Sequence, residues 1–277
     1  MAARPPVVVS FAASDPTGGA GIQADCLAIA ALGCHPATVL TALTAQDTHG
    51  VHGLLAIEPR WVEEQATRLL ADIAVGAFKL GVLGSAANAA AVARILAAHP
   101  RVPVVVDPVL ASGRGDALAD APTVAALRAE ILPRATVATP NSLELRRLAA
   151  AQDAPLDECA ARLVSLGCKY VLVTGAHEPG AQVMNTLFGE GGRIRSDAWP
   201  RLPGEYHGSG CTLASALAAL LARGVAVTDA AREAQAYAWR ALAAGYRAGG
   251  GQLVPDRLAA VRARDPDDAA RPVRDHA

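Results

Sequence analysis

Short β-branched runs alternate with Ala/Leu-rich segments of helical period along almost the whole chain, and this alternation limits the fold more than any other feature. The strand candidates are residues 7–11, 37–43, 77–83, 103–107, 136–139, 170–174 and 182–188. The helix candidates are residues 21–32, 59–72, 86–99, 122–131, 142–150, 156–166, 210–223 and 229–244. Several strands are continuously apolar, as in Val104-Val105-Val106, which predicts cover on both faces. The pattern builds right-handed βαβ units around a largely parallel sheet, an α/β class. Ligands of such sheets bind beyond the carboxyl ends of the strands. The residues that follow each strand are therefore the place to look for chemistry.

Composition narrows the partners. The chain has 277 residues, a net charge of -1 and 52% hydrophobic residues, enough for one large domain with a sizeable core. The neutral balance predicts no nucleic acid and no membrane surface as a partner. Five cysteines without a Cys-x-x-Cys pair argue against a disulfide framework. The apolar run at residues 7–11 is too short for a signal peptide core, and no stretch spans a bilayer. A cytoplasmic location is expected. Gly249-Gly250-Gly251 reads as a break, giving a domain over residues 1–248 and a polar, mobile tail over 249–277.

The segment His207-Gly208-Ser209-Gly210-Cys211-Thr212 concentrates the chemistry. Two glycines flank a serine, so backbone can approach a ligand closely. An apolar run follows at residues 213–221, which places the glycines where a helix begins. Helix N-termini present free N–H groups and partial positive charge, an anion site. Cys211 falls in the first turn, where a thiol is expected to lose its proton more easily than a free one. A phosphate cradle beside an ionisable group is the equipment of phosphoryl transfer.

The other strand ends add to this rim. After the first strand come Asp15-Pro16-Thr17-Gly18-Gly19-Ala20-Gly21 and a helix with Gln23 and Asp25. The glycines are either a ligand loop or only a turn. A dinucleotide loop fails on detail, because the Gly-x-Gly-x-x-Gly spacing is absent and Gln46, not an acid, follows the second strand. The amide of Gln46 suits a heterocycle edge. Lys79, inside the apolar strand Phe78-Lys79-Leu80, is either the partner of a buried carboxylate or an active-site cation. Asp107 ends a strand and is fixed by Pro108, and a glycine-containing loop follows that can move over a substrate. Asn141 and Glu144 are spaced as a capping box, and they also set an amide and a carboxylate near Asp107. Such oxygens can hold Mg²⁺ through water beside nucleotide phosphates. Thr174-Gly175 can border a nucleotide, whereas His177 reads as a surface histidine.

Taken in order, these segments resemble the hydroxymethylpyrimidine/phosphomethylpyrimidine kinases of thiamin biosynthesis, within the ribokinase-like superfamily. The carriers are residues 14–25, Thr41-Ala42-Leu43-Thr44-Ala45-Gln46, Lys79-Leu80-Gly81, Asp107-Pro108-Val109, Thr139-Pro140-Asn141 and Gly208-Ser209-Gly210-Cys211-Thr212. The resemblance implies a three-layer α/β/α sandwich, ATP and Mg²⁺ as cofactors, and a homodimer. It implies phosphorylation of 4-amino-5-hydroxymethyl-2-methylpyrimidine and then of its monophosphate. Carried over residue by residue, Asp25 and Gln46 would bind the ring, and Ala20, Val82 and Val109 would line its faces. Asp107, Asn141, Glu144, Thr174 and Gly175 would meet the nucleotide, with Asp107 and Glu144 towards the metal. Gly208, Ser209 and Gly210 would form the anion hole, and Cys211 stands where many superfamily members have an aspartate base. Val82 replaces a usual methionine and Thr174 a frequent lysine. Rival readings are a pyridoxal kinase, which shares fold and motifs, and a non-catalytic pyrimidine or nucleotide sensor.

Overall fold

The computed structural model of the chain describes residues 4–263. Nine strands form one sheet in the order β3-β2-β1-β4-β5-β6-β7-β8-β9. They are β1 (Val7–Ser14), β2 (His35–Gln46), β3 (Val51–Ala56), β4 (Ala77–Leu80), β5 (Val104–Val106), β6 (Val137–Ala138), β7 (Tyr170–Val173), β8 (Gln182–Gly189) and β9 (Gly192–Pro200). The pairings from β2 through β1, β4, β5 and β6 to β7 are all parallel. β3 and β8 join antiparallel, and β9 returns along β8. The helices are α1 (Gly21–Ala31), α2 (Pro59–Asp72), α3 (Ala86–Ala97), α4 (Ala121–Ala126), α5 (Ser142–Ala149), α6 (Leu156–Ser165), α7 (Ser209–Ala222), α8 (Val227–Ala243) and α9 (Ala259–Arg262). This is the expected three-layer α/β/α arrangement.

The period-two alternation of the strands divides the core into two layers. Val9, Phe11, Phe78, Leu80, Val104 and Val106 point to one side, against α2, α3, α5 and α6. Val8, Ala77 and Val105 point to the other, against α1, α7 and α8. The same alternation turns Ser10 and Lys79, which are paired in register, into the α1/α7 layer. α7 is buried on every side from Cys211 to Leu221, which explains why its sequence is apolar all round. Its many alanines let the sheet and both neighbouring helices approach closely.

Three expectations need correction. The strands β3 and β9 were not among the candidates. The first carries His52 and Gly53, and the second alternates Arg193, Arg195 and Asp197 on an exposed edge, so neither has the apolar signature. The helix expected over 122–131 is a short helix, α4, continued by a widened turn at Leu127–Ile131. The break at Gly249 is no boundary either. Leu253 donates to the carbonyl of Glu205 and accepts from His207, both at 2.9 Å, and Asp256 donates to Ala241 at 2.8 Å. Arg257 is only 2% exposed. The chain to Ala263 thus belongs to the domain, and the rest of the expected tail lies outside the described residues. Truncation after Ala248 is expected to lower the thermal midpoint by at least about 10 °C, since several kcal/mol of packing and hydrogen bonding would be lost. An unchanged midpoint in a calorimetric scan would return the boundary to residue 248.

Candidate active site

The floor of the site is a buried ion pair. Lys79 and Asp25 are both 0% exposed, with the ammonium 2.9 Å from each carboxylate oxygen. Ser10 from β1 donates to Asp25 at 2.5 Å and Ser215 from α7 at 2.7 Å. Two strands and two helices are thereby tied to one carboxylate. Burial pulls the Lys79 ammonium down, but Asp25, Cys211 and Asp107 around it outweigh burial and hold it above its usual range. Of the two readings of Lys79, the carboxylate partner is present, and Lys79 also reaches the cavity above. Gly81 is required there, because a Cβ would come within 2.8 Å of the ammonium nitrogen.

Above this floor lies a cavity of about 60 Å³. Ala20, Gln46, Val82, Val109 and Cys211 all line it, together with Asp15 and Lys79. The family resemblance implied ring contacts for Ala20, Gln46, Val82 and Val109 and a catalytic place for Cys211. Asp25 does not line the cavity: its oxygens are taken by Lys79 and two serines one layer below. The loop after Asp107 is pinned to the β2–β3 turn by Asp116, which accepts from Ser112 at 2.7 Å and from the Val51 amide at 3.1 Å.

The glycine loop after β1 is organised by Asp15, which accepts from the amides of Thr17 at 2.8 Å and Ala20 at 2.7 Å and from His207 at 2.9 Å. Burial would raise Asp15, but these bonds and the Thr17 hydroxyl outweigh it and hold the carboxyl far below its usual range. Across from it, Gly208 begins α7 with φ of 75°. A Cβ there would lie 1.9 Å from the carbonyl oxygen of Gly19, so the two glycine loops touch through bare backbone. The first N–H groups of α7 have no intrahelical acceptor, and Cys211 of the same turn lines the cavity.

Asp107 lies beside the start of α7, outside the cavity lining. A Cβ on Gly210 would be 3.4 Å from its carboxylate. Its Oδ2 is buried with no hydrogen-bond partner among the described residues. Burial pushes Asp107 up to about 6; Lys79 opposes this and Asp25 adds to it. Burial and the neighbouring Asp107 charge push Glu144 up to about 8, against hydrogen bonds from the amides of Asn141 and Leu110. Glu144 and Asn141 do form the capping box, at 2.9 Å in each direction. Asn141 forms a bridge with Thr174, and Gly175 is held by the side chain of Asn185 at 3.1 Å. Cys211 departs from expectation: burial pushes its thiol up to about 12, with Lys79 opposing and Asp107 adding to the rise. Loss of solvation exceeds the help of the helix terminus, so the free protein keeps this thiol protonated.

The family profile described as phosphomethylpyrimidine kinase matches residues 15–256. The chain belongs to this family. A hydroxymethylpyrimidine/phosphomethylpyrimidine kinase of Streptomyces coelicolor is 41% identical over 89% of this chain and 92% of its own length. The crystal structure of a phosphomethylpyrimidine kinase from Clostridium difficile superposes with a TM-score of 0.74 at 29% identity, over 86% of this chain and 99% of that one. The ADP complex of Bacillus subtilis pyridoxal kinase gives a TM-score of 0.82 at 25% identity, over 93% of this chain and 99% of that one. As a member of the phosphomethylpyrimidine kinase family, this chain is a phosphotransferase with the ribokinase-like fold. No helix among the described residues is long and apolar enough to cross a membrane.

One contact of the site is not legible in the sequence. His207 meets Asp15 across 192 positions, a separation no local motif reveals. Asp15 itself was legible, as an Asp-Pro-Thr-Gly turn whose carboxylate caps its own amides. For the floor, Lys79→Met should cost about 3–5 kcal/mol, because it leaves a buried carboxylate without its cation. The double variant with Asp25→Asn should cost less than the two single variants together, by at least about 1 kcal/mol. Urea unfolding of the four proteins measures this coupling, and strictly additive costs would show that the pair is not a unit.

Proposed function

We propose that the protein transfers the γ-phosphoryl group of ATP to the hydroxymethyl group of 4-amino-5-hydroxymethyl-2-methylpyrimidine, and then to the monophosphate, in thiamin diphosphate biosynthesis. The observation that carries this reading is the junction of a small cavity, lined by Gln46, Ala20, Val82, Val109 and Cys211, with the start of α7 beside Asp107. Gln46 would read the polar edge of the pyrimidine, and Ala20, Val82 and Val109 would hold its faces. Asp25 would act through Lys79, by fixing the ammonium under the ring. The names of the curated relatives support the substrate.

The backbone N–H groups of Ser209, Gly210 and Cys211 would receive the charge that develops on the migrating phosphoryl group. Thr174, Gly175 and Asn141 would border the nucleotide. The residues also suit Mg²⁺. Asp107 has an orphaned buried oxygen, and its charge raises the proton affinity of Glu144, a conflict that a bound cation would relieve. A bound Mg²⁺ would neutralise phosphate charge, with water completing its shell. The transition state of such a transfer is loose, so the hydroxyl proton leaves late and little base strength is needed. A protonated Cys211 is compatible with that. We read it as a packing and hydrogen-bonding group at the alcohol rather than as the proton acceptor.

Incubation with ATP, Mg²⁺ and the hydroxymethylpyrimidine should yield first the monophosphate and then the pyrophosphate, resolved by anion-exchange chromatography. The likeness to pyridoxal kinase gives the competing reading. A parallel assay with pyridoxal should be slower, and preferential phosphorylation of pyridoxal would reverse the assignment.

The acid groups set the pH dependence. Below their raised pKa values Asp107 and Glu144 carry protons and cannot hold a cation, so kcat/KM should rise with pH between about 6 and 8. Cys211→Ser should leave that limb in place and cost less than about tenfold in kcat, below what a general base supplies. Movement of the limb in this variant would reassign it to the thiol.

A further inference from the structure

Arg257 is the largest fully buried side chain of the described residues, and nothing in the proposed reaction uses it. It lies beyond the three glycines, more than 230 positions from the loop it touches: 239 from Gly18 and 238 from Gly19. Its guanidinium donates to the Thr212 hydroxyl at 3.0 Å, to the Gly18 carbonyl at 3.4 Å, to the Gly208 carbonyl at 3.5 Å and, closest of all, to the Gly19 carbonyl. These partners are three carbonyls and a hydroxyl; none is a carboxylate. A cation held in this way keeps its full charge, and it costs more to bury than a paired one. A structural strut could be made from uncharged residues at lower cost.

The partners are not arbitrary. The Gly208 carbonyl shares its peptide unit with the N–H of Ser209, and the Gly19 carbonyl shares its unit with the N–H of Ala20. A donor on the carbonyl side polarises the unit and strengthens the N–H on its other side. The Ala20 amide donates to Asp15, which holds the glycine loop. The Ser209 amide belongs to the open start of α7. The two loops also touch where only glycine fits, at Gly19 and Gly208, so a slip between them would move the N–H groups from the cavity. The segment carrying Arg257 is itself fastened to this place. Leu253 pairs in parallel with Tyr206, and the Tyr237 hydroxyl donates to the Arg257 carbonyl at 2.8 Å.

We infer that Arg257 is a positioning residue for phosphoryl transfer: its guanidinium locks the glycine loop after β1 to the α7 anion hole and adds an unneutralised charge behind it. The inference rests on the kinase reading above. It predicts an effect on turnover rather than on ring binding, because Arg257 touches no residue of the cavity wall other than through the loops.

The test compares wild type with Arg257→Met, which keeps the stem, and Arg257→Lys, which keeps the charge but not the fork. Each is first checked for folding by circular dichroism and thermal melting. Arg257→Met should lose about 100-fold in kcat with KM for both substrates changed less than about threefold, as expected when transfer geometry slips by an ångström. Arg257→Lys should recover part of the loss. Folded variants that both keep wild-type kcat overturn the inference. So does a failure of both to fold, which would make Arg257 a residue of the fold. If Arg257→Met alone fails to fold, a loss of at least about tenfold in kcat for Arg257→Lys, at unchanged KM, still supports it. Wild type that accepts pyridoxal and not the pyrimidine refutes only the substrate assignment, and the same comparison then runs with pyridoxal. Wild type inactive on both overturns the kinase reading and this inference together.

Discussion

Lys79 is an ammonium in the middle of a layer otherwise built from valine, alanine and leucine, and the site stands on how that charge is accommodated. A lone buried cation would lose its proton or unfold the layer. Asp25 prevents both, and it does so from α1, while Ser10 on β1 and Ser215 on α7 consume the rest of its hydrogen-bonding capacity. The pair therefore sets the spacing of β1, β4, α1 and α7 at the level of the cavity floor. Everything above it inherits that spacing: the glycine loop that leads into α1, the open start of α7, and Cys211 one turn higher.

The groups on the rim are held in a state that the free protein tolerates poorly. Asp107 and Glu144 are both raised, so their ionised forms are disfavoured in the folded chain relative to the unfolded one. For such groups the folded state gains most at low pH, and stability falls as pH climbs from the ordinary carboxylate range through about 6 and about 8. Burial raises both, and the charge of Asp107 adds to the rise of Glu144, so ionisation of the two leaves negative charge unbalanced. A site that must attract a cation and polyphosphate together gains from that arrangement, because binding removes the strain that folding leaves behind.

The alternation of strand and helix patterns was enough to place the parallel sheet and the functional rim. Gln46 and Cys211, at a strand end and a helix start, could be read from position, whereas Ala20, Val82 and Val109 came only with the family resemblance; all five line the cavity. What failed were the quantities that depend on depth. Asp25 sits one helical turn from the loop, so position suggested the rim, yet the strand register of Ser10 with Lys79 draws it underneath. Cys211 was judged by the helix terminus it adjoins, but its burial is the larger effect. Arg257 was invisible for another reason: three glycines mimic a linker, and the contacts that make the segment part of the core lie more than two hundred residues away. β9 was missed because an exposed edge strand needs hydrogen bonds, not apolar side chains, to exist.

The close superposition on a pyridoxal kinase also has a physical explanation that bears on specificity. In the proposed reaction the parts that handle the phosphoryl group are main-chain N–H groups at a helix start and carboxylates at strand ends, and these are set by the fold. They grip what all such substrates share. In the proposed reaction the heterocycle meets a separate set of groups, the Gln46 amide at the end of β2 and the apolar side chains of Val82 and Val109 on two loops. Those side chains can change without moving the sheet, so overall superposition is blind to them. On that reading, discrimination between a pyrimidine and a pyridine would come from the hydrogen bonds that Gln46 can satisfy, since an unmatched buried amide costs about 1–3 kcal/mol while the apolar walls accept either ring.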